Sequence, residues 1–120
     1  MNYFNPEQDP MLYKCPCGHC NVVVNPELPR VLNLVRERAG TPMVVTSGPR
    51  CPQYNIAIGG ATYSEHVDGD GADIVCTSSR SRFLIIRAAI EVGINRIGVD
   101  DIFLHLGISK TNDQLVMWVY

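Results

Sequence analysis

The stretch SEHVDGDGAD, from Ser64 to Asp73, is the most informative part of this chain. His66 and Asp73 lie seven positions apart, and the glycines between them let the backbone fold tightly enough for both side chains to face one point. His105 is a further candidate far downstream. Two imidazoles and one carboxylate bind zinc and leave its fourth tetrahedral position open, which is the arrangement of catalytic rather than structural sites.

The surroundings of two of these residues strengthen the metal hypothesis. Asp73 lies in the apolar run Ala72–Val75, and His105 lies in the apolar run Phe103–Leu106. An ionisable group in an apolar strand is costly unless it is paired or binds a cation. A hydrogen-bonded core histidine would explain one such residue, but two histidines and an aspartate in this setting favour a metal.

Length and composition limit the function classes. The chain has 120 residues, of which 46% are hydrophobic and 18% charged, so we expect one soluble globular domain spanning residues 1–120. The net charge of -2 provides no reason to expect nucleic acid or an anionic membrane as a partner. The first residues have neither the basic nor the apolar region of a signal peptide, which predicts cytoplasmic synthesis. We also expect a monomer.

The five cysteines are an odd number, which argues against a framework of disulfides. Cys15, Cys17 and Cys20 cluster in the run CPCGHC, and Cys51 is a candidate fourth ligand for a structural zinc. The alternative is that these are reduced thiols in a tight turn rich in proline and glycine. Cys76 follows an apolar strand and is expected to be a small buried hydrophobic residue.

Two helices are predicted from capping residues and apolar periodicity. Residues 1–24 are expected to be irregular, after which Asn25 caps a helix that ends at Gly40. Its apolar positions are Leu28, Val31, Leu32 and Val35. Ser78 or Ser79 caps a second helix that ends at Gly93. Its expected apolar face consists of Phe83, Ile86, Ala89 and Ile90.

Five short runs of apolar and β-branched residues are predicted to be strands, at residues 43–47, 72–76, 96–99, 102–106 and 115–120. The connection from 48 to 52 is expected to be an irregular loop, and a second loop beginning at Gly59 carries the histidine–aspartate motif. The order of elements predicts an α+β domain in which two helices flank a small antiparallel sheet.

The motif S-x-H-x-x-G-x-[AG]-x-D at residues 64–73 resembles the signature of the zinc D-alanyl-D-alanine carboxypeptidase and L-alanyl-D-glutamate endopeptidase family. Similarity to its small, phage-endolysin-like peptidoglycan peptidases covers essentially the whole chain. It extends through residues 15–20, 46–55, 58–61, 103–105 and 116–120. The resemblance implies the D-Ala-D-Ala carboxypeptidase/hedgehog-like fold and a catalytic Zn²⁺ held by His66, Asp73 and His105.

The resemblance also implies a reaction and a substrate. Family members hydrolyse a peptide bond in the stem peptide of bacterial peptidoglycan, with zinc polarising the scissile carbonyl and activating water. Arg50 corresponds to the family arginine that binds substrate near the zinc, where a guanidinium can hold a carboxylate and stabilise a developing oxyanion. Ser64 either orients the metal loop or contacts substrate.

At the position of the general base, the chain departs from the family pattern. The family usually has an acidic residue three positions before the third ligand, and Ile102 stands there in this chain. Strand alternation would place Asp101 on the same face as His105, which makes Asp101 our candidate. A turn formed by Asp100-Asp101 is the competing interpretation. The other candidates for the base are Asp100, Glu65 and Asp68.

Three functions are therefore considered. The first is an active zinc peptidase that acts on the cell wall after release, in phage lysis or as part of a virion. The second is a non-catalytic, zinc-containing module that binds peptidoglycan, which is favoured by the missing upstream acid. Gly107, where the subfamily commonly has an aspartate, is a second departure that bears on the general base. The third is a structural or assembly protein stabilised by zinc at the cysteines.

Overall fold

Two neighbouring strands with alternating apolar residues form the centre of the sheet. In the computed structural model, which describes residues 2–120, β2 (Gly71–Val75) pairs antiparallel with β4 (Phe103–Gly107). Alternate side chains of a strand lie on opposite faces of the sheet. One face of this pair is completely buried and consists of Ala72, Ile74, Leu104 and Leu106. The other face carries Asp73 and His105, which are register partners.

Three further strands complete the sheet in the order β1-β2-β4-β3-β5. β1 (Val45–Ser47) pairs antiparallel with β2, and β3 (Arg96–Val99) pairs antiparallel with β4. The expected α+β class is confirmed, with one correction. β5 (Val116–Val119) is parallel to β3. The connection from β4 passes the edge of β3, and β5 begins at the same end of the sheet where β4 ends. β5 therefore runs opposite to β4 and in the direction of β3.

The first long helix agrees with the sequence prediction. α2 spans Glu27–Ala39, and the Asn25 side chain accepts a hydrogen bond of 3.1 Å from the Glu27 backbone N–H. The helix ends at Gly40, which has a left-handed φ of 66° that glycine adopts without strain. The predicted apolar positions line the core, with Leu28, Leu32 and Val35 completely buried.

The second long helix forms as predicted but buries a different face. α4 spans Ser79–Glu91, and the Ser78 hydroxyl accepts a hydrogen bond from the Ser81 backbone N–H. Its buried residues are Ile85, Ala88 and Ala89, whereas Phe83 and Ile90 are 63% and 55% exposed. The helix is apolar on two overlapping stripes, and its packing against α2 and in the common core decides which one is buried.

Two short helices correct the prediction of irregular structure. α1 spans Pro10–Tyr13 within the segment 1–24, and α3 spans Pro52–Ala57 after the loop of residues 48–51. Each has a proline in its first turn, where the missing N–H is not needed. Neither is long enough to give a recognisable helical period. The rest of the N-terminal segment contains an isolated bridge between Lys14 and Val23.

One cluster of buried apolar side chains joins the helices to the sheet. Leu12 of α1 belongs to it, so the N-terminal segment is part of the core rather than a tail. Among residues 2–120, no helix has the length and apolar character needed to cross a membrane.

The central strand supports a stability prediction. We expect Leu104→Ala to lower the free energy of unfolding by about 2–5 kcal/mol, because it leaves a cavity at a completely buried position. Urea denaturation followed by circular dichroism measures the change. Ile102→Ala is the matched control, since Ile102 is 62% exposed and should change stability by less than about 0.5 kcal/mol. An equal loss in both variants would contradict this description of the core.

Candidate metal centre

Three polar side chains converge on the face of the sheet opposite the core. Asp73 and His105 come from β2 and β4, and His66 comes from the loop before β2. One oxygen of Asp73, Oδ1, lies 3.2 Å from His66 Nε2 and 3.0 Å from His105 Nδ1. The residues predicted as metal ligands are therefore neighbours in the structure, and their donor atoms lie within 4.8 Å of one another.

The second nitrogen of each imidazole is engaged elsewhere, which orients the rings. His66 Nδ1 lies 2.7 Å from the carbonyl oxygen of Gly48, and His105 Nε2 lies 2.8 Å from Glu65 Oε1. A proton on each of these nitrogens would leave His66 Nε2 and His105 Nδ1 able to bind a metal ion in place of their hydrogen bonds to Asp73. Tetrahedral zinc ligands at ~2.1 Å would be about 3.4 Å apart, so the donor set and its spacing fit zinc.

Glu65 supports His105 from the side away from Asp73. Its side chain is almost completely buried, and its Oε2 accepts a hydrogen bond of 3.0 Å from the Ser109 backbone N–H. Arg96 Nε lies 3.0 Å from the same oxygen, close enough for an ion pair although its N–H is not directed for a hydrogen bond. Gly107 makes space for this carboxylate, because a Cβ there would lie 2.1 Å from both Glu65 oxygens. Glu65 is thus an anchored carboxylate that orients the His105 ring.

The network shifts the pKa values of its members. Burial alone raises the pKa of Asp73, but the hydrogen bonds and charges of His105 and His66 outweigh it and hold that pKa well below its usual range. The pKa of Glu65 is lowered in the same way, with burial opposed by His105, Ser109 and Arg96. Burial lowers the pKa of His105, whereas Asp73 and Glu65 raise it, and the net shift is upward. Both carboxylates are therefore anionic at neutral pH.

Arg50 lies beside the three candidate ligands. Its Nη2 lies 3.7 Å from Asp73 Oδ2 and 3.0 Å from the Ser47 hydroxyl, and its Nη1 donates to Asn55 Oδ1 at 3.0 Å. The Arg50 backbone N–H donates to the His66 carbonyl at 2.9 Å, so the two loops are joined directly. These contacts hold the guanidinium at the edge of the candidate metal site.

The site opens into a cavity of about 340 Å³ with an aromatic wall. That wall is formed by Tyr63, Phe103, Trp118 and Tyr120. Trp118 lies over the sheet because Gly98 has no side chain, and a Cβ there would come within 2.6 Å of Trp118 Nε1. The rings of Trp118 and His105 have centroids 5.5 Å apart. The size of the cavity suits a small part of a peptide.

Five of the six residues predicted for the catalytic site line this cavity. They are Arg50, Ser64, His66, Asp73 and His105. The Ser64 hydroxyl accepts a hydrogen bond of 3.2 Å from the His66 backbone N–H, which is the loop-orienting contact considered from the sequence. The four cysteines also come together, with sulfur atoms within 4.8 Å of one another. Cys76 is buried in the core, as expected.

The structure does not bring Asp101 to the candidate metal site. The alternation argument is wrong because β4 begins at Phe103 and Asp101 lies in the bend before it. Asp101 is exposed and lines a separate small cavity with Asp100 and Arg82, which borders the main one at Tyr120. Asp100 accepts a hydrogen bond from the Ile102 backbone N–H, as expected for a turn. Asp68 is exposed and outside both cavities. The assignment of the general base stays a prediction.

The reasoning from sequence missed the aromatic wall and two polar residues that support the site, Arg96 and Asn55. Arg96 was assigned only to a strand, although a charged residue at the start of an apolar run was an available signal. Asn55 is buried and holds both Arg50 and the carbonyl of Ala61, but nothing in its local sequence indicated this role. Its contacts depend on α3, which was itself not predicted.

Comparison with known proteins identifies one relationship. A family model described as Peptidase M15 matches residues 3–107. The matched region includes the three candidate ligands and Arg50, and it ends where β4 ends. No curated protein sequence gives a significant match to the chain.

The contact between Glu65 and His105 leads to a prediction about metal affinity. We expect Glu65→Gln to weaken zinc binding by ~10–100-fold, because the amide keeps the shape of the side chain but removes the charge that orients and polarises the imidazole. Competition with a chromophoric chelator measures the affinity. Asp68→Asn removes a nearby exposed charge and serves as the control. Equal affinities in the two variants would show that Glu65 does not act on His105.

Proposed function

The chain belongs to the Peptidase M15 family, and on that basis we propose that it hydrolyses a peptide bond in the stem peptides of bacterial peptidoglycan. Family membership supports a zinc-dependent metallopeptidase. The observation that carries the proposal is the convergence of His66, Asp73 and His105 at one point of a cavity that Arg50 also lines. The bond that is cut is either D-Ala-D-Ala or L-Ala-D-Glu.

The ligand set defines the chemistry available at this point. A zinc ion held by His66 Nε2, Asp73 Oδ1 and His105 Nδ1 would supply a Lewis acid for the scissile carbonyl and would activate water at neutral pH. Asp73 stays ionised for this role because both imidazoles and Arg50 surround it. The protein contributes rigid orientation, since each ligand side chain is buried or half-buried and hydrogen-bonded.

Charge at the site favours an anionic group on the substrate. Asp73 and Glu65 are balanced by Arg50 and Arg96, so a divalent cation would leave the site positive. Arg50 can form two parallel hydrogen bonds to a carboxylate or stabilise the oxyanion that develops during attack. Stem peptides provide such a group in either case, as a terminal D-alanine carboxylate or as the free carboxylate of D-glutamate.

The aromatic wall provides the remaining contacts. Trp118 and Tyr120 of the C-terminal segment and Tyr63 of the metal loop can pack on the alanyl methyl groups and the peptide backbone of a substrate. Their packing would also exclude bulk water from the scissile bond, which strengthens the electrostatic interactions at the site.

A second candidate function is supported by a specific observation. Only two carboxylates of residues 2–120 line the cavity, Asp73 and Glu65, and both are fully engaged by imidazole, backbone or guanidinium groups. Among these described residues, no carboxylate side chain that lines the cavity is left free to act as the general base. A module of the same fold that holds zinc and binds peptidoglycan without cutting it fits this arrangement.

We further propose that the protein acts on the wall after release from the cell in which it is made, in phage lysis or as part of a virion. This proposal rests on the resemblance to small phage-endolysin-like peptidases together with the peptidase site. The stem peptide is the proposed partner, and a monomer is sufficient because all site residues come from one chain.

Digestion of purified peptidoglycan tests the proposed reaction. We expect the zinc-loaded protein to release fragments whose masses identify the bond, either free D-alanine or peptides beginning at D-glutamate. His66→Ala should lose the zinc of this site and all turnover. Arg50→Gln should keep the zinc but lower kcat/KM by ~10²–10³-fold, through loss of substrate and oxyanion contacts.

The matched control for these variants is Arg30→Gln, which removes an exposed guanidinium on α2 that does not line the cavity. Its activity should equal that of the wild type. If the wild type carries zinc at His66 and binds stem peptides but yields no fragments, the binding-module function replaces the peptidase. If it carries no zinc at this site, both functions fail.

The general base has its own test. If Asp101 serves as the base, Asp101→Asn should keep zinc and substrate binding but lower kcat by ~10²–10⁴-fold. Asp68→Asn is the control, because it removes the same charge from an exposed loop position. Full activity of Asp101→Asn would exclude Asp101 from the reaction.

A further inference from the structure

A second cluster of metal-binding side chains lies outside the cavity. The Sγ atoms of Cys17 and Cys20 are 3.4 Å apart, and those of Cys17 and Cys51 are 3.8 Å apart. Together with Cys15, all four sulfur atoms lie within 4.8 Å of one another. All four cysteines are free thiols in the structure.

The spacing of the sulfur atoms fits a tetrahedral metal better than disulfides. Four thiolates bound to zinc at ~2.3 Å lie about 3.8 Å from one another. A disulfide requires about 2.05 Å between its sulfur atoms, well below the distances in the cluster. The first three cysteines follow the pattern C-x-C-x-x-C, and Cys51 supplies the fourth sulfur from a distant part of the chain.

The local backbone presents the sulfur atoms to a common centre. The isolated bridge between Lys14 and Val23 closes the turn that carries the first three cysteines. Backbone N–H groups are directed at the sulfur atoms, from His19 to Cys17, from Cys51 to Cys15 and from Tyr54 to Cys51. Such N–H donors stabilise thiolates, which are the form that binds metal.

We propose that Cys15, Cys17, Cys20 and Cys51 bind a structural zinc ion that fastens the N-terminal segment to the loop carrying Arg50. Cys51 directly follows Arg50 and caps the first turn of α3, so the metal would hold both of these elements. A four-thiolate site has no open position and therefore has a structural role.

Contacts next to the cysteine cluster connect this zinc site to the cavity that holds the candidate metal ligands. The backbone of α1 lies directly on Gly48, where a Cβ would come within 2.2 Å of the Met11 carbonyl oxygen. The carbonyl of Gly48 in turn holds His66 Nδ1 at 2.7 Å. The N-terminal segment thus supports the same loop that orients one candidate ligand and positions Arg50.

Zinc content and zinc coordination test the proposal. We expect the wild type to carry two zinc ions per chain, Cys20→Ser to carry one and His66→Ala to retain one. X-ray absorption at the zinc edge of His66→Ala should give about four sulfur neighbours at ~2.3 Å. Cys76→Ala is the matched control, since Cys76 is buried away from the cluster and its loss should leave both zinc ions in place.

Amide hydrogen exchange measures whether loss of this zinc loosens the segments that it joins. We expect Cys20→Ser to lose amide protection in residues 10–24 and 51–57 while β2 and β4 keep theirs. If Cys20→Ser does not fold, wild-type protein decides the question, because two filled sites should average about two sulfur neighbours per zinc. The absence of sulfur neighbours, or disulfides among the four cysteines in freshly purified protein, would overturn the proposal.

The test of the structural zinc site is independent of the proposed peptidase activity. A protein that binds this zinc but cuts no peptide would refute the peptidase alone, whereas an active protein without zinc–sulfur coordination would refute the structural site alone.

Discussion

The carboxylate of Asp73, held between two imidazoles on the central strands, is the interaction on which the site depends. Register places Asp73 directly opposite His105, and the loop before β2 brings His66 to the same oxygen. A carboxylate on an otherwise apolar strand is costly unless it is paired or binds a cation. Here one oxygen faces both rings and the other faces Arg50, so each partner of Asp73 belongs to the candidate site.

Space for this network comes from glycines in the sheet. A Cβ at Gly71 would lie 2.7 Å from the His105 ring, and one at Gly107 would collide with the Glu65 carboxylate. Gly98 makes the corresponding space for Trp118. Glycine weakens a strand interior, but it lets large or charged side chains lie close to the backbone. The three glycines lie around His105, so the strands have no side chains at the positions that the His105 ring, the Glu65 carboxylate and Trp118 occupy.

The supports of the site come from distant parts of the chain. Glu65 orients His105 and also holds the Ser109 backbone, while the carbonyl of Gly48 orients His66. The N-terminal segment packs on Gly48, and Asn25, which directly follows it, donates a backbone hydrogen bond to the Gly69 carbonyl of the metal loop. Orientation of the ligands therefore depends on segments that contribute no ligand themselves.

The sequence by itself determined the elements whose signals are local. The cap at Asn25, the stop at Gly40 and the apolar period between them specified α2, and short runs of apolar and β-branched residues indicated the strands. Asp73 and His105 were recognisable because ionisable groups in apolar strands need a partner, and His66 because the glycines between it and Asp73 allow both side chains to face one point. The tertiary structure decided which stripe of α4 is buried, the parallel direction of β5, and the partners of Glu65 and Cys51. It also placed Asp101 outside the cavity. These outcomes depend on contacts between residues far apart in the chain, which no local pattern encodes.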